Sequence, residues 1–245
     1  EDGYREKVLR MPEQYHCADT PVIPQADQSR EEFGLDDDAF VFCAFNNPNK
    51  INAELFDSWM RILERVPGSQ LWLSDTCADD TLMDNLRSEA GRRGVHSDRL
   101  VFAGRLADKS LHFARHRLAD LFLDTFVYNA STTAIDALWA GLPVLTRPGN
   151  TFYSRICASH VVNVGLGDMI CGSTQEYEDR AVFLANDRNA MEAVKRRLAG
   201  NLHSETLFDT PRFVRHLENA YMKIWERHME GGQPESFDLQ PLPRG

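Results

Sequence analysis

The chain has 245 residues, of which 42% are apolar and 26% are charged, so it can bury the core of one large domain or two small ones. Its net charge of −10, together with the lack of any basic stretch with interleaved aromatic residues, argues against a nucleic-acid partner. No run approaches the roughly 18 consecutive apolar residues that a membrane-spanning helix needs, so no membrane partner is expected.

The five cysteines are odd in number, widely spaced and free of any C-x-x-C pair. This usage is typical of reduced thiols in a cytoplasmic compartment. The first twenty residues contain neither an apolar targeting segment nor an initiating Met, so the chain is expected to be a piece of a longer protein.

Composition divides the chain into three parts. Residues 1–38 are polar, and their second half, PVIPQADQSREEFGLDDD, has no sustained period, so it is interpreted as a linker. A globular domain is predicted over 39–229, where apolar runs recur. Residues 230–245 contain too few apolar side chains to fold alone and are predicted to be disordered.

Within the domain, short apolar runs alternate with helical patterns. Each run has the length of a strand and is almost wholly apolar, as expected of parallel strands that are covered on both faces. The runs lie at 40–45, 70–74, 99–104, 119–124 and 143–146. This β-α-β-α order predicts an α/β fold with a doubly wound, Rossmann-like parallel sheet. Helices at 174–186, 188–199 and 210–229 are expected to pack back on it.

Ligands of such sheets bind beyond the carboxyl ends of the strands, which directs attention to five loops. These loops are 46–51, 75–79, 104–109, 125–132 and 147–151. The first presents Asn47 and Lys50 ahead of a helix that Asn52 can cap. Lys50 can reach a phosphate as a point charge, but a solvated surface lysine has the same pattern.

The segment AGRLADKSLHFARHR places Lys109, His112 and Arg115 at three-residue spacing, so they share one face of a predicted helix. A stripe of donors with an aromatic ring suits a nucleotide base and ribose, although a solvated basic face has the same pattern. His112 and His116 also have a metal-ligand spacing, but the Glu of H-E-x-x-H and a third ligand are missing, so no metal is predicted.

The stretch YNASTTAIDALWAGLP places Ser131, Thr132 and Thr133 at the start of a helix. Hydroxyl groups and backbone N–H groups at such an end favour an anion. Asp136 lies one turn further, where its carboxylate can accept a ribose hydroxyl. The arrangement suits a nucleoside diphosphate, whereas the simpler alternative is a helix cap with Asp136 offsetting the dipole.

Several of these motifs occur together in one known family. FNNPNKI, WMRILERVPGSQLWL, LADLFLDT, NASTTAIDALWAGLPVLT and SRICAS resemble, in order and spacing, the C-terminal catalytic lobe of the protein O-GlcNAc transferases and SPINDLY-like glycosyltransferases. The resemblance runs from about residue 40 to 229, and YREKVLRMPEQY is similar to the segment just upstream in that family. It implies a GT-B glycosyltransferase, with the nucleotide sugar in the cleft between two Rossmann-like lobes.

The resemblance also assigns roles at the phosphate end of the site. Lys50 matches the lysine that contacts the diphosphate and stabilises the leaving UDP, which makes it the candidate catalytic residue. Asn47 stands where the family usually has Gln. Thr132 and Thr133 match the paired threonines at the diphosphate, and Ser131 replaces the histidine of the usual N-G-H-T-T.

The remaining matches lie at the nucleoside. Ala107 matches a residue whose backbone reads the uracil, and Lys109 one near the ribose. His112 matches a residue that stacks on the base, and Arg115 one beside the uracil edge. Asp136 matches the carboxylate that binds the ribose.

The implied activity is the inverting transfer of GlcNAc from UDP-GlcNAc to Ser or Thr hydroxyls of acceptor proteins, with no cofactor and no metal. The implied partners are a UDP-sugar, a protein acceptor, an N-terminal catalytic lobe and upstream helical repeats. Two alternatives stay open: a protein O-fucosyltransferase lobe that uses a GDP-sugar, and a catalytically silent module that binds nucleotide sugars or serves as a scaffold.

Overall fold

The computed structural model describes residues 4–25, 27–74 and 80–243. The predicted ligand loop at 75–79 therefore lies outside the described residues. In chain order the strands are β1 (Leu9–Arg10), β2 (Val41–Ala44), β3 (Gln70–Ser74), β4 (Leu100–Ala103), β5 (Leu121–Leu123), β6 (Val144–Leu145) and β7 (Phe237–Asp238).

Five of these strands form one parallel sheet in the order β4-β3-β2-β5-β6. The chain starts in the middle of the sheet, adds β3 and β4 on one side, and then crosses over to add β5 and β6 on the other. Every residue of β2 and β3 is buried, because helices cover both faces. The predicted doubly wound α/β sheet is confirmed, and each predicted apolar run contains one observed strand.

The helices alternate with the strands and continue beyond them. They are α1 (Ala53–Arg65), α2 (Asp80–Arg92), α3 (Lys109–Arg115), α4 (Thr132–Trp139), α5 (Ile156–Asn163), α6 (Thr174–Asn186), α7 (Arg188–Asn201) and α8 (Thr210–Met229). Short 3-10 helices lie at Glu31–Phe33, Pro48–Lys50, Ser97–Arg99, His116–Leu118, Gly167–Met169 and Thr206–Phe208.

α1 illustrates how the sequence produces these helices. The side-chain oxygen of Asn52 accepts a hydrogen bond from the Leu55 N–H at 2.9 Å and caps the first turn, as predicted. The helix buries Trp59 and Ile62 on the face that points to the sheet. Burial of each such side chain contributes about 1.5–3 kcal/mol, so the apolar spacing fixes which face of the helix packs inward.

The segment ahead of the sheet has defined contacts with the domain. Arg30 donates to the Leu118 carbonyl at 3.0 Å and to Asp120 at 2.9 Å. The indole of Trp139 donates to the Pro21 carbonyl at 2.8 Å. Residues interpreted from composition as a linker therefore lie along the lobe.

The C-terminal tail differs from the disordered segment that the sequence predicts. β7 pairs in parallel with β1, Leu239 is buried, and Arg212 donates to the Leu242 carbonyl at 2.7 Å. The tail has too few apolar residues to form a core alone. It packs on the domain because its backbone pairs with a segment more than two hundred residues earlier in the chain.

Among the helices that the structure describes, none is both long and apolar enough to cross a membrane.

Candidate functional site

The candidate site lies where β2 and β5 end, at the carboxyl edge of the sheet. The loop after β2 turns into the 3-10 helix Pro48–Lys50, which places Lys50 at the end of that turn. Asn47 caps this turn, since its side-chain oxygen accepts a hydrogen bond from the Asn49 N–H at 3.0 Å. Asn47 is exposed, and its predicted contact with a diphosphate stays a prediction.

Lys50 is half-buried and held at a fixed position. Its Nζ donates to the backbone carbonyl of Asn129 at 2.9 Å and lies 4.2 Å from the ring centroid of Tyr128. Among the described residues no carboxylate lies within ion-pair distance of Nζ. Burial lowers the pKa of the Lys50 ammonium, and the negative charge of Asp124 acts in the opposite direction. The result is a partly desolvated cation whose charge a bound anion can neutralise.

Asn46 connects Lys50 to the start of α4. The motifs in the sequence did not indicate this residue. Its side chain is only 3% exposed, and its Oδ1 accepts from Lys50 Nζ at 3.3 Å and from Thr133 Oγ1 at 3.1 Å. Because the ammonium can only donate, it fixes the orientation of the amide. The order of residues alone could not reveal this contact, since Asn46 lies 87 positions from Thr133.

The N-terminus of α4 faces this lysine. Ser131 is the N-cap residue, and Thr132 and Thr133 occupy the first turn, with Thr132 exposed and Thr133 half-buried. The first N–H groups of a helix have no acceptor within the helix. Backbone donors, hydroxyl groups and the Lys50 ammonium therefore converge on one small region, and the binding of an anion there stays a prediction.

A buried carboxylate, Asp124, shapes the loop between β5 and α4. Its Oδ1 accepts from the backbone N–H groups of Thr125 at 2.8 Å and Ala130 at 2.7 Å, and its Oδ2 from the Thr146 hydroxyl at 2.7 Å. Burial raises the pKa of Asp124 to about 6, and these hydrogen bonds oppose the rise. Asp124 thus fixes the backbone whose Asn129 carbonyl holds Lys50.

The predicted nucleoside face lies on α3 and the loop before it. Ala107 and Lys109 are exposed, His112 is half-buried, and Arg115 is buried at 1% exposure. Arg115 donates to the Gly104 carbonyl at 2.7 Å. The three donors that were predicted to form one stripe therefore differ in burial. Arg115 is the deepest, because it holds the start of the loop that precedes α3.

Phe45 connects this face to the phosphate region, since it directly precedes Asn46. The Arg115 guanidinium lies 4.6 Å from the Phe45 ring centroid, and the His112 ring centroid lies 6.0 Å from it. Burial lowers the pKa of His112 to about 4, and the charges of Arg115 and Lys109 act in the same direction. His112 is therefore a neutral ring at physiological pH, which suits stacking on a base.

Asp136 is half-buried on α4, one turn beyond Thr132. Burial raises its pKa to about 6; the charge of Lys109 opposes this rise, and that of Asp19 adds to it. Lys109 Nζ lies 3.9 Å from Asp19 Oδ2. Asp136 therefore lies one turn from the phosphate end and within electrostatic reach of Lys109 on α3, and its predicted contact with a ribose stays a prediction.

The described part of the chain contains no group of three or more His, Cys, Asp or Glu residues that could hold a metal ion. His112 and His116 have a metal-ligand spacing in sequence, but in the structure a ring nitrogen of one lies near the backbone of the other. His116 Nδ1 is 2.9 Å from the His112 backbone carbonyl. A cavity of about 840 Å³ does lie on the molecule, but between α8 and the β1-β7 pair, away from these residues.

The sheet order, the covering helices and the solved structures that resemble them define the class of protein: a Rossmann-like lobe of a GT-B glycosyltransferase. A mutant of the O-GlcNAc transferase of Thermobaculum terrenum matches with a TM-score of 0.73 and 30% identity, over 78% of this chain and 37% of that chain. Anabaena HepE in complex with UDP and glucose matches with a TM-score of 0.56 and 18% identity, over 79% of this chain and 51% of that one; this likeness concerns the fold alone.

A family model described as glycosyl transferase family 41 matches residues 14–217, and the chain belongs to this family. It is 37% identical over 96% of its length to the probable UDP-N-acetylglucosamine–peptide N-acetylglucosaminyltransferase SEC of Arabidopsis thaliana, of which it spans 25%. It is 35% identical over 84% of its length to the corresponding transferase of Caenorhabditis elegans, of which it spans 18%. The chain thus corresponds to a quarter or less of these relatives.

Proposed function

We propose that the chain is the donor-binding lobe of a protein O-GlcNAc transferase, which transfers GlcNAc from UDP-GlcNAc to Ser or Thr hydroxyls with inversion and without a metal. In this proposal residues 39–229 form the lobe, and residues 1–38 lead into it. The names of the relatives support this activity. One observation carries the assignment to this chain: Asn46 holds Lys50 and Thr133 on the same oxygen atom, at 3.3 and 3.1 Å.

The chemistry of the leaving group explains why this observation matters. When the sugar departs, negative charge develops on the diphosphate. A fixed cation at a water-poor position and a helix N-terminus stabilise such charge without reorganising. Lys50 supplies the cation, and α4 adds its backbone N–H groups and a dipole contribution of about 0.3–1 kcal/mol. In this proposal they take the role that a divalent cation has in other transferases.

The nucleoside is proposed to lie along α3. His112 stacks on the uracil as a neutral ring, the backbone of Ala107 contacts its edge, the buried Arg115 lies beside that edge, and Lys109 lies near the ribose. Asp136 accepts the ribose hydroxyls, because it lies between the two regions. Asn47, Ser131 and Thr132 complete the diphosphate contacts.

The remainder of the enzyme is proposed to lie outside this chain. The acceptor segment, the N-terminal catalytic lobe and the upstream helical repeats are the partners that the proposal requires. The compartment proposed is the cytoplasm, with the nucleus as an addition in a eukaryote, since the described cysteines include three buried free thiols, Cys43, Cys157 and Cys171.

A transfer assay on the full-length polypeptide tests the activity. It is offered UDP-GlcNAc or GDP-fucose with a Ser/Thr-rich acceptor peptide, and sugar incorporation is measured. Transfer from UDP-GlcNAc supports the proposal. Transfer from the GDP-sugar alone makes the chain an O-fucosyltransferase lobe. No transfer from either donor, with UDP still bound, makes it a silent module, in accord with the unusual Ser131.

A further inference from the structure

We propose that Tyr15, which precedes the lobe, is a positioning residue of the donor site. Its hydroxyl contacts the Ser131 hydroxyl, which makes no capping bond to α4, and leaves the Ser131 O–H to bind a phosphate oxygen. This inference rests on the proposed function, because the ligand concerned is the diphosphate of the donor. It adds a residue to which the resemblance assigns no role.

The first observation is the contact between the two hydroxyl groups. The Tyr15 hydroxyl lies 2.7 Å from Ser131 Oγ. A serine at an N-cap usually accepts a hydrogen bond from an N–H group in the first turn. In α4 the side chain of Ser131 makes no such bond within the described residues. The contact with Tyr15 therefore replaces capping, and the N–H groups at the helix end stay available for an anion.

The hydroxyl groups of Tyr15 and Ser131 together can bind a further acceptor. Two hydroxyl groups bring two donor hydrogens and several acceptor lone pairs. In this inference Tyr15 donates to Ser131 Oγ, so the Ser131 O–H stays available to a phosphate oxygen. Ser131 directly precedes Thr132, at the end of the helix where the diphosphate is proposed to lie. Burial raises the pKa of the Tyr15 phenol, with a smaller rise from Tyr128, and the bond to Ser131 opposes both; the phenol thus stays protonated and able to donate.

Tyr15 is also held in place from the domain side. The carboxylate of Glu13 accepts from Nε and Nη2 of Arg212 at 2.8–3.0 Å. Gln14 is buried, and its Nε2 donates to the Leu207 carbonyl at 3.1 Å. The backbone on the N-terminal side of Tyr15 is thus fixed to the domain by two side chains.

The ring of Tyr15 is fixed as well. It packs edge-on against Phe152, with centroids 5.3 Å apart, and stacks on His160 at 6.0 Å. A phenylalanine at this position keeps these ring contacts and loses only the hydroxyl. The substitution Tyr15→Phe is therefore a clean test of the hydrogen bond.

The experiment compares the affinities of this chain for UDP and for uridine by titration calorimetry. The variants are Tyr15→Phe, Ser131→Ala and the double variant, with Tyr221→Phe on α8 as the matched control for loss of a phenol. One hydrogen bond contributes about 0.5–1.5 kcal/mol, so Tyr15→Phe is expected to weaken UDP binding about 2- to 10-fold. Uridine binding is expected to stay unchanged. The double variant is expected to bind UDP no more weakly than Ser131→Ala, because Tyr15 acts through Ser131.

Three results overturn the inference and leave the proposed function intact: UDP binding by Tyr15→Phe that equals the wild type, an equal loss for UDP and uridine, or losses that simply add in the double variant. An equal loss for both ligands would mean that the phenol only supports the fold. Failure of the wild-type chain to bind UDP removes the proposed function and this inference together.

Discussion

The buried amide oxygen of Asn46 accepts a hydrogen bond from the ammonium of Lys50 at 3.3 Å. The same oxygen accepts one from Thr133, so the loop after β2 and the first turn of α4 are joined at one atom. A lysine on an exposed loop would sample many rotamers, and this contact limits that freedom. The geometry of the proposed diphosphate site therefore depends on a residue that need not touch the ligand.

Replacement of Asn46 by Ala is expected to weaken UDP binding about tenfold, because it releases both Lys50 and Thr133. A hydrogen bond to a charged group contributes about 1.5–3 kcal/mol. Only part of this free energy is expected to appear as a loss of affinity for UDP, because Asn46 does not bind the ligand itself. Uridine affinity is expected to stay unchanged, since the nucleoside lies along α3. Calorimetric titration with both ligands checks this, and Asn186→Ala on the exposed face of α6 is the matched control. Equal affinities for UDP in both variants would contradict the role of Asn46.

Replacement of Lys50 by Ala is expected to lower kcat of the full-length enzyme about 100- to 1000-fold, with a smaller change in KM. Loss of one preorganised donor at developing negative charge typically has this effect. The transfer assay with UDP-GlcNAc measures it. The exposed Lys223 on α8 provides the control, since Lys223→Ala removes a lysine without touching the site. Turnover by Lys50→Ala at the wild-type rate would sink the assignment of Lys50.

His112 is expected to bind the base as a neutral ring. Since burial lowers its pKa to about 4, it carries no proton between pH 8 and 5.5. Any change of uridine affinity over that range, such as one from Asp136 with its pKa of about 6, should therefore be the same in the wild type and in His112→Phe. His112→Ala is expected to weaken uridine binding about tenfold, because stacking of a base on a ring contributes about 1–3 kcal/mol. His112→Phe should keep most of the affinity. A wild-type affinity that changes around pH 6.5, and does so only when His112 is present, would point to a charged contact instead.

His160 is expected to make the fold sensitive to acid. It is fully buried, and burial lowers its pKa to about 3, with a smaller effect of His16. The unfolded chain takes up a proton below about pH 6.5, whereas the folded chain does so only near pH 3. The stability that the neutral ring contributes is therefore complete above pH 6.5 and is lost as the pH falls toward 3.

At pH 5.0 this loss amounts to about 2 kcal/mol for one imidazole. Urea unfolding of the wild type and of His160→Gln at pH 7.5 and 5.0 measures it. The decrease in unfolding free energy between the two pH values should be about 2 kcal/mol smaller in the variant. The same decrease in both proteins would show that the ring is already protonated or solvated when the chain is folded.

The sequence predicts the sheet well because each strand is apolar on both faces. The run at 70–74 coincides with β3, and Asn52 caps α1 as its position indicates. The pairing of β1 with β7 could not be predicted, since two-residue strands carry no period and lie at opposite ends of the chain. The tail has a short strand where composition predicts disorder, for the same reason: composition describes a segment alone and not the surface that it meets.

The candidate site shows the same division. Spacing and motif order led to Lys50 and Thr133, because their chemistry is visible in short stretches. The roles of Asn46 and Tyr15 could not be predicted, since each contacts a residue that is distant in sequence. The burial of Arg115 could not be predicted either. Helical spacing shows on which face of the helix a residue lies, but not whether a neighbouring loop covers it.

In the proposed function, the edge of the sheet at Lys50 and α4 binds the diphosphate of a UDP-sugar. Calorimetric titration of the folded chain with UDP, beside uridine and GDP, tests it most directly. We expect one saturable site for UDP, weaker binding of uridine for lack of the phosphates, and weaker binding of GDP because its base is larger. A folded sample that gives no binding signal with UDP at millimolar concentration would contradict the claim.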